Sequence, residues 1–299
     1  MTDSKETGGR TMKLATKLPS SFSWLLWVLL LLSGCGGGPG TSLLPSNPTS
    51  GGPPTPPPGP PAQSQSISGG WQLSTTSTVS PGMPPATIAG SVTQSGTSVN
   101  AVVHVAGWSC FDQATTIGLT GTITDGNVSL TSTAVDGQVI TFAGSITTKA
   151  NFPDALTGTY AINGGCANSD QGNVTGYSVG AFNGSWYGNL TTAAGANIHW
   201  GTNQLGQVSP SPEGSFGLTG AFTFDGACFN SGNLTPGTYP TPSFHLGTSV
   251  VLNIPTDNGT INFVGLAGPD QGGLIEGTYT VTGGSCESTG TGYLSPWEY

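Results

Sequence analysis

The sequence predicts an all-β protein built as two tandem antiparallel eight-stranded barrels, and three observations carry that expectation. The 299 residues include 49 glycines and 23 prolines but only 6% charged residues, a composition poor for helices and rich in turn formers. The stretch Leu156-Thr-Gly-Thr-Tyr-Ala-Ile-Asn-Gly-Gly-Cys166 returns as Ile275-Glu-Gly-Thr-Tyr-Thr-Val-Thr-Gly-Gly-Ser-Cys286. In both copies the large apolar residues and one glycine fall on alternate positions, the period of a strand with one buried face. Landmarks also recur at a nearly constant offset: Trp71 and Trp186 are 115 apart, Cys110 and Cys228 are 118, Pro153 and Pro269 are 116, and Cys166 and Cys286 are 120. The chain therefore reads as a duplication, with repeat one over 69–180 and repeat two over 181–299; a pair of β-sandwiches is the alternative architecture.

Ahead of the repeats, Lys5, Arg10, Lys13 and Lys17 precede an apolar run of 11 residues, Phe22 to Leu32. That run is too short to cross a bilayer, which needs about 20 residues, and it has the length of a signal-peptide core. The residues that follow, Leu32-Ser33-Gly34-Cys35, resemble the lipobox of bacterial lipoproteins. The resemblance implies a signal peptide over 1–34, cleavage before Cys35, and lipidation of Cys35, so that the bilayer becomes a partner through the acylated cysteine. The expected location is the bacterial cell envelope, with the folded part outside the cytoplasm. Attachment to the outer membrane or cell surface is implied for a host with two membranes. Met12 would be a more typical start than Met1.

From Gly36 to Ser68 there are ten prolines, seven glycines and no charged residue. Such a stretch cannot bury a core of its own, so 35–68 is expected to be a solvated tether, stiffest over Pro53 to Pro61 where polyproline II is favoured.

Within repeat one the apolar runs come every 8 to 12 residues, the spacing of a barrel or sandwich. Strands are expected near Trp71 to Thr78, Thr87 to Gln94, Ser98 to Ala106, Ile117 to Thr124, Val128 to Val135, Val139 to Thr147, Leu156 to Ile162 and Val174 to Val179. Asp125-Gly126 and Asp136-Gly137 sit where two-residue type I′ turns belong. Inward glycines at Gly90, Gly144 and Gly158 would permit the bending that closure of a small sheet demands. In repeat two, strands are expected near Ser185 to Thr191, Asn197 to Gly206, Phe216 to Phe224, Ser243 to Gly247, Ser249 to Ile254, Thr260 to Leu266, Leu274 to Val281 and Gly290 to Ser295. The Pro236 to Pro242 insertion interrupts the pattern.

Four cysteines lie inside the repeats and allow three pairings. The duplication selects one of them: Cys110 to Cys166 spans 56 positions and Cys228 to Cys286 spans 58, so each repeat carries an equivalent pair. One disulfide per repeat, Cys110–Cys166 and Cys228–Cys286, would stabilise its unit by up to roughly 4 kcal/mol and implies an oxidising compartment.

Beyond Lys17 the sole basic residue is Lys149, against 12 acids, a net charge of −11. Such a surface cannot neutralise phosphates, which excludes nucleic acid as a partner.

No motif in the sequence names a reaction. It has no nucleophile elbow, no phosphate loop, no metalloprotease helix and no Cys/His zinc spacing, so no catalytic residue, cofactor or metal ligand is assigned and the chain leans away from being an enzyme. His104, His199 and His245 fall at non-equivalent places, against a shared catalytic role, with His199-Trp200 the pair of most interest. Asp125, Asp136 and Asp225 each precede a glycine and read as turn chemistry.

The aromatics say more. Gly69-Gly-Trp71 and Gly184-Ser-Trp186 place Gly-x-Trp at the first strand of each repeat, which resembles the calycins, the lipocalin and avidin group. Gly184-Ser-Trp-Tyr-Gly-Asn-Leu190 and Leu156-Thr-Gly-Thr-Tyr160 are similar to avidin-type strands. The resemblance implies closed eight-stranded barrels that bind small ligands at the mouth. The later tryptophan-bearing avidin strand has no counterpart, so biotin is not carried over. In this reading Trp71 and Trp186 plug one barrel end, whereas Trp108, Trp200 and Trp297, which have no partner in the other repeat, are candidates for exposed binding platforms. Together with Tyr160 and Tyr279 they form the set of candidate ligand contacts.

The expected function is non-catalytic: binding of a small apolar or amphipathic ligand in a barrel, or an interaction at the envelope. Two alternatives stand beside it, a carbohydrate-binding or adhesive surface module, and a hydrolase whose site is invisible in sequence. An open cavity of a few hundred Å³ would mark the first, exposed, coplanar aromatics on an outer face the second, and two acids, or a histidine and an acid, within about 10 Å in one cleft the third.

Overall fold

The computed structural model describes residues 66–108, 115–148, 153–240, 242–269, 273–286 and 288–297. Cys35, the tether up to Gln65, Cys110 and Lys149 lie outside the described residues.

The described chain is all-β and forms two closed eight-stranded antiparallel barrels in tandem. The first consists of β1 (Gly69–Ser77), β2 (Ala86–Ser95), β3 (Ser98–Ala106), β4 (Thr115–Thr124), β5 (Asn127–Ser132), β6 (Val139–Thr147), β7 (Ala155–Asn163) and β8 (Gln171–Val179). Each strand pairs with the next, and β8 returns to pair with β1, placing Trp71 opposite both Gly90 and Ser178. Closure rules out the sandwich alternative. The Asp-Gly turns form as the sequence predicts: Asp125, Gly126, Asp136 and Gly137 all have positive φ, between 49° and 77°, the requirement of a type I′ turn.

The second barrel has the same eight staves, two of them broken. β9 (Gly184–Thr192) and β10 (Asn197–Pro210) are followed by a third stave in two pieces, β11 (Phe216–Thr219) and β12 (Ala221–Asp225). Both pieces pair with the long β10, whose register is irregular between Thr202 and Leu205. The fourth stave is β13 (Ser231–Asn233) and β14 (Phe244–Leu246), both facing β15 (Ser249–Thr256). β16 (Gly259–Ala267), β17 (Ile275–Thr282) and β18 (Thr289–Pro296) complete the ring, which closes through β18 onto β9.

The sequence pattern misses β13 because Ser231-Gly-Asn233 has no apolar alternation. It also reads β11 and β12 as one strand. The excursion between β13 and β14 contains Pro236, Pro240 and Pro242, and proline cannot donate to a ladder.

Opposed glycines let the sheets coil. Gly144 faces Gly158 across β6 and β7, and Gly265 faces Gly277 across β16 and β17. A Cβ on Gly158 would strike the carbonyl of Ala143, and one on Gly277 that of Val264. Above each glycine pair stands an aromatic pair, Phe142 beside Tyr160 and Phe263 beside Tyr279.

The cysteine bridges fall as the duplication requires where they are described. Cys228 and Cys286 are disulfide-bonded with Cα atoms 5.8 Å apart. Cys166 is also disulfide-bonded, and its expected partner Cys110 lies outside the described residues.

The two barrels also touch each other. In β3 the residues Val103, His104 and Val105 are all buried, because the strand's outer face is covered by the second barrel. Gly214 abuts the carbonyl of Val102, and Gly247 fits against Gln72 and Ala89. The Gln72 amide oxygen accepts hydrogen bonds from the backbone N–H and the hydroxyl of Thr248, at 3.3 and 3.4 Å.

Candidate functional site

The interior of the second barrel is filled. Trp200, 3% exposed, stacks against Phe222 at 5.2 Å and meets Phe263 at 5.3 Å. Its indole N–H crosses to the far side of β9 and donates to the carbonyl of Tyr293 at 3.0 Å. Gly188, directly opposite Trp200 on β9, has no side chain to stand in that path. Phe263, Tyr279, Leu252 and Ile254 close the remaining space.

The first barrel differs at the equivalent staves. Where the second has Trp200, Gly188 and Leu294 side by side, the first has Ile88, Leu73 and Gly176. An apolar cavity of about 40 Å³ is left, bounded by Trp71, Leu73, Ile88, Phe142, Ile146 and Leu156. Such a space holds a water or two by volume but has almost no polar wall to bind one.

Trp71 and Trp186 are buried at matching ends of the two barrels, as plugs. The Trp71 indole donates to the carbonyl of Ile67 at 2.9 Å, while the Trp186 indole nitrogen is buried without a hydrogen-bond partner. Tyr160 and Tyr279 are buried interior residues. Tyr160 donates to Asp170 Oδ2 at 3.0 Å, and Ser77 donates to the other carboxylate oxygen at 2.5 Å. Burial raises the Tyr160 phenol pKa, and the neighbouring carboxylate raises it further.

Two of the three tryptophans expected on the surface are therefore inside. Trp108, 8% exposed, packs against Tyr160 at 5.2 Å, and Trp200 forms the heart of the second barrel. Alternation explains the latter: Trp200 and His199 are neighbours on β10 and must face opposite sides. Trp297 is where an exposed platform would be, at 55% exposure.

Trp297 is not alone on that face. Its ring meets Tyr187, 45% exposed, edge-on at 5.3 Å and 71°, so the two are angled and not coplanar. The β18 terminus is held by the Trp297 N–H, which donates to the carbonyl of Ser185 at 2.9 Å. The pair borders a shallow cleft of about 340 Å³ whose polar wall includes His199, Asn203, Thr223 and Asp225. Strand register puts these groups together: His199 stands between Asn189 and Asp225, and Tyr187 lies beside Gly201, which keeps the cleft floor low. Asn189 Nδ2 donates to the Tyr293 hydroxyl at 2.9 Å, fixing the adjoining row. Tyr187 and Asn203 were not singled out by sequence reasoning, and Asp225, read there as turn chemistry, lines the cleft. The alternation Trp186-Tyr187 is the signal that could have found the first, because an inward Trp186 forces Tyr187 outward.

The other two histidines serve the contact between barrels. His245 is fully buried, stacked on Phe216 at 4.7 Å and 6°, and His104 is buried against Tyr239. Among the described residues no three His, Cys, Asp or Glu side chains cluster closely enough to hold a metal ion.

Comparison with protein-family models finds none that matches this chain, and comparison with curated proteins finds no similar one.

Proposed function

We propose that the chain is a lipid-anchored envelope lipoprotein whose second barrel binds carbohydrate on its outer face. The observation that carries this reading is the exposed Tyr187–Trp297 pair beside a cleft walled by His199, Asn203, Thr223 and Asp225. A pyranose ring has apolar C–H faces and a rim of hydroxyls. Aromatic rings bury the former, and short amide, hydroxyl and carboxylate side chains pair with the latter. Charge favours a neutral glycan, since Asp225 lines the cleft and the sequence past Lys17 supplies a single lysine to attract an acidic one. The Leu32–Cys35 segment and the proline-rich stretch after it support an anchor and tether that present this face to the cell envelope, outside the cytoplasm. The closed, sequentially paired eight-stranded barrels support the calycin-like reading of the repeats.

The small-ligand reading has one specific support, the 40 Å³ apolar cavity of the first barrel. It falls well short of the few hundred Å³ that ligand sites occupy, so it would require the barrel to open around its guest.

The test is titration of the full-length protein in detergent with neutral glucans, xylans and mannans, followed by intrinsic tryptophan fluorescence and calorimetry. Saturable binding that Trp297→Ala or Tyr187→Ala weakens at least tenfold is the expected result. Binding left intact by both substitutions, or absent across the panel, would overturn the surface reading.

A further inference from the structure

The contact between the two barrels is made around histidines. His104, on the outer face of β3, places Nε2 2.8 Å from the backbone carbonyl of Glu213 in the second barrel. That nitrogen must carry the proton, because a carbonyl can only accept. The other ring nitrogen, Nδ1, is then a buried lone pair without a partner. Protonating it would put an N–H into a space that offers no acceptor, at the cost of an unmet donor and a buried charge. Thr116 lies 3.3 Å from Nε2 and does not reach Nδ1.

His245, on β14, lies at the same contact. Its ring is stacked on Phe216 and touched edge-on by Phe182, both at 4.7 Å, and Cε1 packs toward Gly70 of the first barrel. Nε2 lies 2.8 Å from Gln207 Oε1, which also accepts the Phe182 N–H, and Nδ1 lies 3.3 Å from the carbonyl of Gly247.

Few charges could compensate. For His104, the elements packed against it are β2, β4, the 211–215 turn and the 234–243 segment. Among their described residues the charged group is Glu213 and the other titratable group is Tyr239. The elements around His245 (β1, residues 180–183, the end of β10, β11 and residues 247–248) carry no charged side chain. Burial lowers the pKa of both histidines, opposed at His104 by the Glu213 carbonyl and carboxylate and at His245 by the Gly247 carbonyl.

The geometry points to a proton-operated latch: His104, neutral, holds the two barrels together, and its protonation in acidic surroundings releases one barrel from the other while each stays folded. Each barrel has its own closed sheet and its own core, so release opens the contact around Gln72, Val102 and Gly247 without breaking a barrel ladder. Burial holds the docked His104 below its ordinary pKa, so the released state takes up the proton more readily and docking weakens as pH falls below the ordinary histidine value.

The test uses the full chain in detergent micelles, with hydrogen–deuterium exchange at pH 7, 5.5 and 4 after scaling for the intrinsic pH dependence of exchange. Acid is expected to raise exchange in peptides covering 98–106, 211–219 and 243–249, while 139–147 and 259–267 stay protected and far-ultraviolet circular dichroism is unchanged. The variant His104→Gln should lose the acid response. If that variant does not fold, the imidazole proton titration of His104 in the unmodified protein decides, with a midpoint expected below the ordinary histidine value and coincident with the exchange transition. Contact peptides that stay protected at pH 4, loss of protection in both barrels together, or an acid response retained by the variant would each overturn the latch.

Discussion

Tyr160 and Tyr279 occupy the same stave position in the two barrels, yet the first donates to Asp170 at 3.0 Å and the second has a buried hydroxyl without a partner. Each sits beside a phenylalanine, Phe142 or Phe263, and Tyr160 also meets Trp108. Tyr160→Phe is expected to cost about 1.5–3 kcal/mol, the range for a hydrogen bond to a charged group, whereas Tyr279→Phe should be neutral or slightly stabilising. Urea denaturation of both variants checks the pair. Equal losses would show that the hydroxyl of Tyr279 is satisfied in solution.

Trp200 fills the second barrel where the first keeps a cavity. Trp200→Ala should destabilise by about 3–5 kcal/mol, and the space it leaves would be apolar and dry. Xenon or benzene should then raise the thermal midpoint of the variant, while the unmodified protein responds weakly. A variant that loses stability but gains nothing from xenon has collapsed around the missing ring.

The Cys228–Cys286 bridge joins the loop after β12 to the loop after β17, closing a separation of 58 residues. Replacing both cysteines by serine should cost the second barrel about 2–4 kcal/mol. Denaturation followed by near-ultraviolet aromatic signals, which report Trp200 and its neighbours, would show the loss. A bridge that contributes nothing would leave the midpoint unmoved.

His245 makes stability depend on acid. Its pKa is brought down to about 4 by burial, from an ordinary 6.5. Between those values the open state binds a proton that the closed native state does not, so stability is fully present above pH 6.5 and falls as pH drops toward 4. The loss from this one group approaches about 3 kcal/mol at 1.36 kcal/mol per unit. Denaturant midpoints from pH 7.5 to 4, compared with those of His245→Gln, should show the slope in the first and its reduction in the second.

The barrel staves were legible in the sequence wherever one face is buried and the other solvated. The alternation of Leu156, Gly158, Tyr160 and Ile162 located β7 to within a residue at each end, and Asp-Gly pairs located their turns. Legibility failed where a second constraint overrode the period. Ser231-Gly-Asn233 shows no alternation because its job is to bridge β12 and β15 beside a proline-rich excursion. The exposure of a tryptophan was likewise unreadable from its lack of a counterpart: Trp200 has none because Gly188 makes room for it on a neighbouring strand. The histidines looked irregular for a similar reason. The contact they serve lies between the repeats, and duplication does not copy a junction.

A ring of strands has no first or last member. The described strands of both barrels pair on both sides within the same ring, which leaves little margin onto which a foreign strand could add. Many copies at close quarters could therefore crowd together without stitching into a common sheet, although the chain is rich in residues that favour extended backbone.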